Sequence, residues 1–432
     1  MAEGSADTEA GLRTPDSLPD PDRPAGTVND DMPFDHIVVV TMENHSFDNL
    51  LGELPRAGQP AADGLSFDAA GAATNSNPGT TGTPAEVTAF PFTSTAQGPR
   101  VSQTWNATHA QIDGGKMDGF VRSVRAVQPM GYYPSQVLPF AYSLARTFTV
   151  ANRWFCSAPC QTIPNRRFML AGTAYGAIAT DLPTLFAGSP PSGTIFDRLE
   201  SHGITWRNYF SDVPGTVVIP SIVAKHATHL RLIGEFFKDC AAGTLPAVSF
   251  VDPEAGVLAY LGTLLAKVPV LGGIGAQLGK HGGDEEDPQD MRYGEAWAHR
   301  VVKAVLDSPA WPRTLLLYTY DEHGGYYDHV PPPAAIAPDS IPPKLGPTDV
   351  AGAYDIYGPR VPAVVASPYA KPNAVTDVIH DHTSVLATIE AKWNLPALTY
   401  RDANATTVMD FLDTGHAAFL TPPTIAGPTD AG

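Results

Sequence analysis

The sequence predicts an α/β fold in which a mostly parallel central sheet is flanked by helices and interrupted by long loop insertions. Apolar, β-branched runs at residues 36–42 (HIVVVTM) and 314–320 (TLLLYTY) are typical of strands that are buried on both faces. These runs alternate with segments of helical pattern, which favours parallel pairing through helical crossovers. A hydrophobic content of 43% in 432 residues is sufficient for a sizeable core.

The individual elements follow from local patterns. Predicted strands, each a short apolar run, cover residues 36–42, 147–151, 204–210, 247–251, 314–320 and 361–366. Predicted helices cover residues 135–146, 165–171, 194–202, 289–307 and 383–393. Pro164 favours a helix start because the first turn does not need its missing N–H, and Ser308-Pro309 marks a helix end.

One large domain is predicted at residues 34–415, with insertions at about 53–104 and 256–279. Residues 1–33 are acidic and rich in proline, which predicts a disordered tail, and residues 416–432 form a C-terminal tail. Residues 1–33 also lack the apolar region of a secretory signal. They therefore fit either a cytosolic protein or a chain without its export signal.

Composition excludes several classes of function. The net charge of −18 excludes a general nucleic-acid binder, and it means that phosphate chemistry requires a local positive centre. Three cysteines cannot form a disulfide framework, so Cys156 and Cys160 either pair or remain reduced and buried. The absence of Walker A, H-E-x-x-H and G-x-S-x-G motifs disfavours P-loop hydrolases, zincins and common serine esterases.

Acidic residues follow three of the predicted buried strands. Glu43 and Asn44 follow the first strand, Asp252 follows another, and Asp321 and Glu322 follow a third. The carboxyl ends of parallel strands meet at one edge of a sheet, where ligands bind. Because a buried unpaired carboxylate is costly, we expect these side chains to converge on a cation.

Glu43, Asn44, Asp321 and Glu322 offer carboxylate and amide oxygens, which suit one divalent cation such as Ca²⁺ or Mg²⁺. A nearby histidine would shift the choice toward Mn²⁺ or Zn²⁺. Taken singly, Glu43 and Asn44 also fit a surface turn with a helix cap. Asp321 and Glu322 also fit a polar strand end before a glycine turn.

Thr162 is the candidate nucleophile, because it precedes a predicted helix whose N-terminus favours a phosphoryl group. A metal held by the oxygens of Glu43, Asn44, Asp321 and Glu322 would lower the pKa of the Thr162 hydroxyl. Thr162 would then be a further ligand of that metal. The alternative is an ordinary helix cap. His109, His281 and His323 are candidates for binding phosphoryl oxygens or protonating a leaving group, although each also fits a packed or surface histidine.

Five motifs occur in order along the chain: residues 34–48 (FDHIVVVTMENHSFD), 164–166 (PNR), 320–330 (YDEHGGYYDHV), 357–362 (YGPRVP) and 381–384 (DHTS). Together they resemble the bacterial phosphoesterase family, over about residues 34–412. That family includes zinc-independent phospholipases C, plant non-specific phospholipases C and certain acid phosphatases.

The resemblance implies an alkaline-phosphatase-like α/β sandwich, phosphoester cleavage and a secreted or periplasmic location. It implies metal binding by Glu43, Asn44, Asp321 and Glu322, and it matches Thr162 to the nucleophile. It also matches His109 and His281 to histidines near the phosphate.

The sequence departs from the family pattern at three places. His45 stands where the family usually has Arg, which predicts a titratable charge near the mouth of the site. Gly282-Gly283 replaces two prolines after His281. Residues 256–279 are longer and more apolar than expected, and they fit either a lid that contacts lipid acyl chains at a membrane surface or a packed helical hairpin.

These observations predict a phospholipase C that cleaves the glycerol–phosphate bond of phospholipids through a phospho-threonine intermediate. Acid phosphatase activity on phosphomonoesters is the alternative, and a non-catalytic, metal-stabilised binding module is a remote one. The chain lacks the Cys-x-Pro-x-Arg motif of sulfatases.

Overall fold

The structure, a computed structural model, describes residues 11–181, 184, 188–254 and 283–429. Its strands are β1 His36–Met42, β2 Ser76–Pro78, β3 Glu86–Thr88, β4 Phe90–Pro91, β5 Gly131–Tyr132, β6 Thr149–Ala151, β7 Trp154–Phe155, β8 Trp206–Phe210, β9 Leu230–Leu232, β10 Val248–Asp252, β11 Thr314–Tyr320, β12 Ala363–Ala366, β13 Ala374–Thr376 and β14 His380–Asp381. Its helices are α1 Phe47–Leu51, α2 Trp105–Ile112, α3 Phe120–Val124, α4 Pro139–Thr147, α5 Thr162–Ala171, α6 Ile195–Ser201, α7 Pro220–His226, α8 Ile233–Ala242, α9 Met291–Leu306, α10 Thr383–Trp393 and α11 Tyr400–Ala403.

Eight strands form the main sheet, in the order β13-β6-β12-β11-β1-β10-β8-β9. Within this described sheet, β12 runs antiparallel to its neighbours β11 and β6, and the other pairs are parallel. Helices flank the sheet. The predicted α/β class with a mostly parallel sheet is therefore confirmed.

The centre of the sheet is apolar because both of its faces are covered. Val38 and Val40 on β1 and Leu316 on β11 are buried. The helix α9 shows how a face is covered, since Trp297, Val301 and Val305 recur at every fourth position and are all buried. Continuous apolar runs are the pattern that strands in such a position require.

All six predicted strands occur, with ends that differ by no more than two residues. The helix predicted from residue 165 begins instead at Thr162, so Pro164 lies inside its first turn. Prediction missed β9, β13, α7 and α8. The strands β9 and β13 have three residues each, which is too short for a periodic signal.

The N-terminal segment differs from the disordered tail predicted for residues 1–33. Residues 11–33 pack along the domain, and the Asn394 side chain donates hydrogen bonds to the carbonyl oxygens of Asp20 and Arg23. Lys392 likewise donates to the carbonyl oxygens of Asn29 and Met32. The prediction was wrong here because these partners come from a distant part of the chain.

The insertion at 53–104 contains β2, β3 and β4, which do not join the main sheet. The second insertion, at 256–279, lies outside the described residues, and so does residue 281. In the C-terminal segment, the ring of Phe419 packs against Phe148 at a centroid distance of 4.9 Å, and Ile425 is buried.

Cys156, Cys160 and Cys240 are buried and free, so the structure contains the reduced form of the first two. Burial raises the pKa of the Cys156 thiol and the Cys160 thiol well above the usual range. No helix in the described part of the chain is long and apolar enough to cross a membrane.

Candidate active site

Three adjacent strands deliver carboxylates to one edge of the sheet. The strand β1 lies between β10 and β11, with Met42 opposite Tyr320 and Val40 opposite Val251. This register places Glu43 beside Asp321 and brings Asp252 to the same edge. Acidic residues that follow three different strands therefore lie at one edge of the sheet.

A buried guanidinium group lies among these carboxylates. Arg166, on α5, places its Nη2 3.1 Å from Glu43 Oε1 and its Nε 3.1 Å from Asp321 Oδ2. Its Nη1 lies 3.5 Å from Asp252 Oδ1. Arg166 is therefore the fixed positive charge of the site, and it was quoted in the PNR motif without being predicted to have this role.

Asp321 and Glu322 are held in place by backbone donors. Asp321 Oδ1 accepts from the N–H of Glu322 at 2.7 Å and from that of Asn44 at 3.3 Å. Glu322 Oε2 accepts from the N–H of Gly324 at 2.8 Å. A side chain at Gly324 would place its Cβ 1.9 Å from the Asn44 carbonyl oxygen, so this close approach requires glycine.

Three buried oxygens in this region have no hydrogen-bond partner within the described residues: Asn44 Oδ1, Glu322 Oε1 and Asp284 Oδ2. Burying an unsatisfied acceptor costs free energy, and an unsatisfied carboxylate costs more. Carboxylate and amide oxygens are ligands for hard cations. The residues present therefore fit a divalent cation of the Ca²⁺ or Mg²⁺ type.

Two further acidic residues border the site. One oxygen each of Glu43, Asp284 and Glu286 lies within 4.8 Å of the others. Glu286 also pairs with Arg100 at 2.6 Å. Sequence analysis missed Asp284 and Glu286 as site residues because they follow no predicted strand and lie after the long insertion.

The carboxylates repel one another in the absence of a cation. Burial, together with the charge of Asp321, raises the pKa of Glu43 well above its usual range, although Arg166 opposes this. Burial and Asp321 also raise the pKa of Glu322. Burial and Glu286 raise the pKa of Asp284 to about 8. The site therefore favours extra positive charge.

Thr162 is the first residue of α5, and Arg166 follows four positions later. Residues at this spacing lie on one face of a helix, so Thr162 is one turn from the guanidinium that contacts the acids. Its hydroxyl has no hydrogen-bond partner among the described residues. The Ile163 N–H donates to Thr180 Oγ1, and Pro164 has no N–H, so the helix N-terminus offers fewer free donors than expected.

The profile of the Phosphoesterase family matches residues 34–396. The chain belongs to the phosphoesterase family. This phosphoesterase is accordingly a hydrolase of phosphoric esters.

Relatives of known name also match over most of the chain. Non-specific phospholipase C6 of Arabidopsis thaliana is 31% identical, over 88% of this chain and 72% of that protein. Phospholipase C A of Mycobacterium tuberculosis is 28% identical, over 84% of this chain and 73% of that protein. Among solved structures, a protein of the alkaline phosphatase superfamily from Vibrio parahaemolyticus has a TM-score of 0.35 and 10% identity, over 83% of this chain and 80% of that chain.

In this phosphoesterase, His323 directly follows Asp321 and Glu322 in the chain, and its side chain is buried. Its Nε2 lies 2.8 Å from Gln111 Oε1, and its Nδ1 lies 3.3 Å from Glu322 Oε2. Burial lowers the pKa of His323 to about 3, so the ring is neutral. A second histidine, His382, also contacts this segment. Its Nε2 donates to the Asp321 carbonyl oxygen at 2.6 Å. Sequence analysis did not single out His382 as a site residue.

His109 lies on α2, where its Nδ1 contacts the Trp105 carbonyl oxygen at 2.7 Å. The Trp105 ring, 4.3 Å from that of His109, belongs to a buried apolar cluster with Cys160 and Phe168. This cluster packs α2 near the start of α5. None of the hydrogen bonds of His109 within the described residues reaches the acidic group.

His45 differs from the titratable charge predicted near the mouth of the site. It is buried, its Nδ1 lies 2.7 Å from Asn49 Oδ1, and its ring stacks on Tyr326. Burial lowers its pKa to about 4, although the hydrogen bond to Asn49 opposes this. The prediction was wrong because Asn49 and Tyr326 cover the His45 ring in the folded chain.

A second charged network joins three of the motifs away from the acidic edge. Buried Arg360 pairs with Asp328 at 2.8 Å and with Asp48 at 3.2 Å. His329 Nδ1 lies 2.7 Å from Asp48 Oδ2, and its Nε2 lies 3.2 Å from Asp63 Oδ1. Arg153 also pairs with Asp63, at 2.7 Å. Because three basic side chains balance three carboxylates, the network serves to hold the motifs together.

This network predicts a pH-dependent stability. Burial alone would lower the pKa of His329, but the Asp48 and Asp63 carboxylates outweigh it and raise the pKa to about 10. The folded pKa is above the unfolded one, so the contribution is complete below about pH 6.5 and is lost as pH rises toward 10. We expect His329→Gln to cost on the order of 3 kcal/mol of unfolding free energy at pH 6, and much less at pH 10.

Urea unfolding of wild type and variant at a series of pH values measures this difference. His299→Gln is the matched control, because burial lowers the pKa of His299 and the ring is uncharged in both states above pH 7. A difference for His329→Gln that stays constant from pH 6 to pH 10 would contradict the assignment.

Proposed function

We propose that this phosphoesterase is a phospholipase C that cleaves the glycerol–phosphate bond of phospholipids, with Thr162 as nucleophile. One observation carries the proposal: the helix that begins at Thr162 supplies the guanidinium that contacts the carboxylates at the ends of three adjacent strands. Relatives named as phospholipases C, matched over most of this chain, support the substrate class.

The proposed cation ligands are Glu43, Asn44, Thr162, Asp321 and Glu322. The free Asn44 Oδ1 and Glu322 Oε1 support this set. When bound, a divalent cation supplies positive charge that polarises a phosphoryl oxygen and lowers the pKa of a nearby hydroxyl. Oxygen ligands favour Ca²⁺ or Mg²⁺, and the ring nitrogens of His323 and His382 that face Gln111 and the Asp321 carbonyl are already engaged.

In the proposed first step, the Thr162 hydroxyl gives its proton to solvent water, and Oγ1 attacks phosphorus in line with the leaving oxygen of diacylglycerol. The Oγ1–P bond forms, the P–O bond to glycerol breaks, and the leaving oxygen receives a proton. His109 and His281 are the proposed proton donors. Arg166 contributes fixed positive charge near the developing negative charge on the phosphoryl oxygens.

In the second step, water attacks the phosphorus of phospho-threonine, the P–Oγ1 bond breaks, and the phosphorylated head group leaves. The Thr162 oxygen takes back a proton. His323 does not take part in proton transfer in this proposal. Its neutral ring is held by Gln111 through Nε2 and lies next to Glu322.

Turnover of a phosphodiester compared with a phosphomonoester tests this function. We expect kcat/KM for p-nitrophenyl phosphorylcholine to exceed that for p-nitrophenyl phosphate by about tenfold or more, since a diester leaves an alkyl group for the enzyme to bind. A preference for the monoester would support the acid phosphatase alternative instead. Absence of turnover on both, with a cation bound, would support a non-catalytic binding module.

A further inference from the structure

We infer that Glu43, Asp284 and Glu286 form a second divalent-cation site next to the proposed catalytic one. The inference depends on the proposed function only for the neighbouring cation. Oxygens from the three carboxyl groups lie within 4.8 Å of one another, a separation that one Ca²⁺, Mg²⁺ or Mn²⁺ ion can bridge.

The Asp284 side chain points to a ligand. Its Oδ1 accepts from the Glu286 N–H at 3.1 Å and from Gln289 Nε2 at 3.3 Å. Its Oδ2 is buried and has no partner within the described residues. The Asp284 carbonyl oxygen accepts from the Glu43 N–H at 3.0 Å, which fixes the segment beside β1. A fully buried carboxylate oxygen held in this way gains most from a cation.

The local charge exceeds what one cation can neutralise. Six carboxyl groups lie at this edge: Glu43, Asp252, Asp284, Glu286, Asp321 and Glu322. Four of them pair with the two guanidinium groups of Arg100 and Arg166, and no guanidinium pairs with Asp284 or Glu322 within the described residues. The remaining excess of negative charge matches two divalent ions.

The free oxygens divide into two sets. The free Asp284 Oδ2 is on a residue of the group with Glu43 and Glu286, whereas the free Glu322 Oε1 is on the segment after β11. Asn44 follows Glu43 directly in the chain, and its Oδ1 is free as well. Two neighbouring ions therefore satisfy oxygens that a single ion at either place would leave unpaired.

Bound Mn²⁺ in the full chain, measured by elemental analysis after removal of metal and reloading, tests the inference. We expect about two equivalents for wild type, about one for Asp284→Asn and about one for Glu322→Gln. Glu285→Gln is the matched control with about two equivalents, because the Glu285 carboxylate accepts from the Tyr320 hydroxyl and lies outside the cluster.

The outcomes separate the two sites. One equivalent in wild type, or wild-type content in Asp284→Asn, would overturn the second site. Loss of an ion in Glu322→Gln alone would leave the catalytic cation of the proposed function standing. Thermal unfolding checks folding, since Asp284→Asn without metal should melt no lower than wild type but should gain less from Mn²⁺.

Discussion

Thr162→Ala is expected to lower kcat on a phosphodiester by about 1,000-fold or more, because the substitution removes the one protein atom proposed to bond with phosphorus. KM should change little, since the side chain contributes a small part of substrate binding. Steady-state kinetics with p-nitrophenyl phosphorylcholine measure the effect. The free hydroxyl of Thr162 leaves no hydrogen bond within the described residues to be broken, so folding should be unaffected.

Two variants separate chemistry from local structure. Thr162→Ser keeps a hydroxyl at the same helix position and should restore most of the activity. Thr180→Ala removes the acceptor of the Ile163 N–H, and so disturbs the start of α5 without removing the nucleophile. We expect a loss of less than about tenfold for that variant. A near-normal rate for Thr162→Ala would exclude it as nucleophile.

Arg166→Met should have the largest effect on stability. The guanidinium is buried and contacts Glu43, Asp252 and Asp321, which keeps its pKa above the usual range despite burial. Removal of one partner from a buried ion pair costs about 3–5 kcal/mol, because it leaves charges unpaired. Urea unfolding measures this loss, and saturating Mn²⁺ or Ca²⁺ should reduce it by binding to the folded state.

Arg167→Met is the matched control on the same helix. Arg167 is buried as well, but its guanidinium donates to the carbonyl oxygens of Val218 and Thr184. The control should be insensitive to divalent cations. The two variants could instead lose equal amounts of unfolding free energy, with no effect of divalent cations on either. That result would mean that the acidic residues at the sheet edge do not depend on Arg166 for neutralisation.

Sequence reasoning predicted the centre of the fold because buried parallel strands need continuous apolar runs. The bounds of β1 and β11 were predicted to the residue for this reason. The same reasoning placed Glu43, Asp252 and Asp321 at one edge, since parallel strands end together. Local pattern and tertiary structure agree here.

Other features depend on contacts between distant segments, which leave no local pattern. Asp284 lies beside Glu43 only because its carbonyl oxygen accepts from the backbone of that residue. The same cause explains why residues 11–33 are ordered along Lys392 and Asn394. The burial of His45 among tyrosines likewise depends on segments far apart in sequence.

Identification of the phosphorylated residue tests the central claim most directly. Wild-type enzyme mixed with a phosphodiester can be quenched in acid within milliseconds, digested and analysed by mass spectrometry. We expect phosphate on Thr162 that decays with turnover. Phosphate on another residue, or none under conditions in which the first half-reaction is complete, would contradict it.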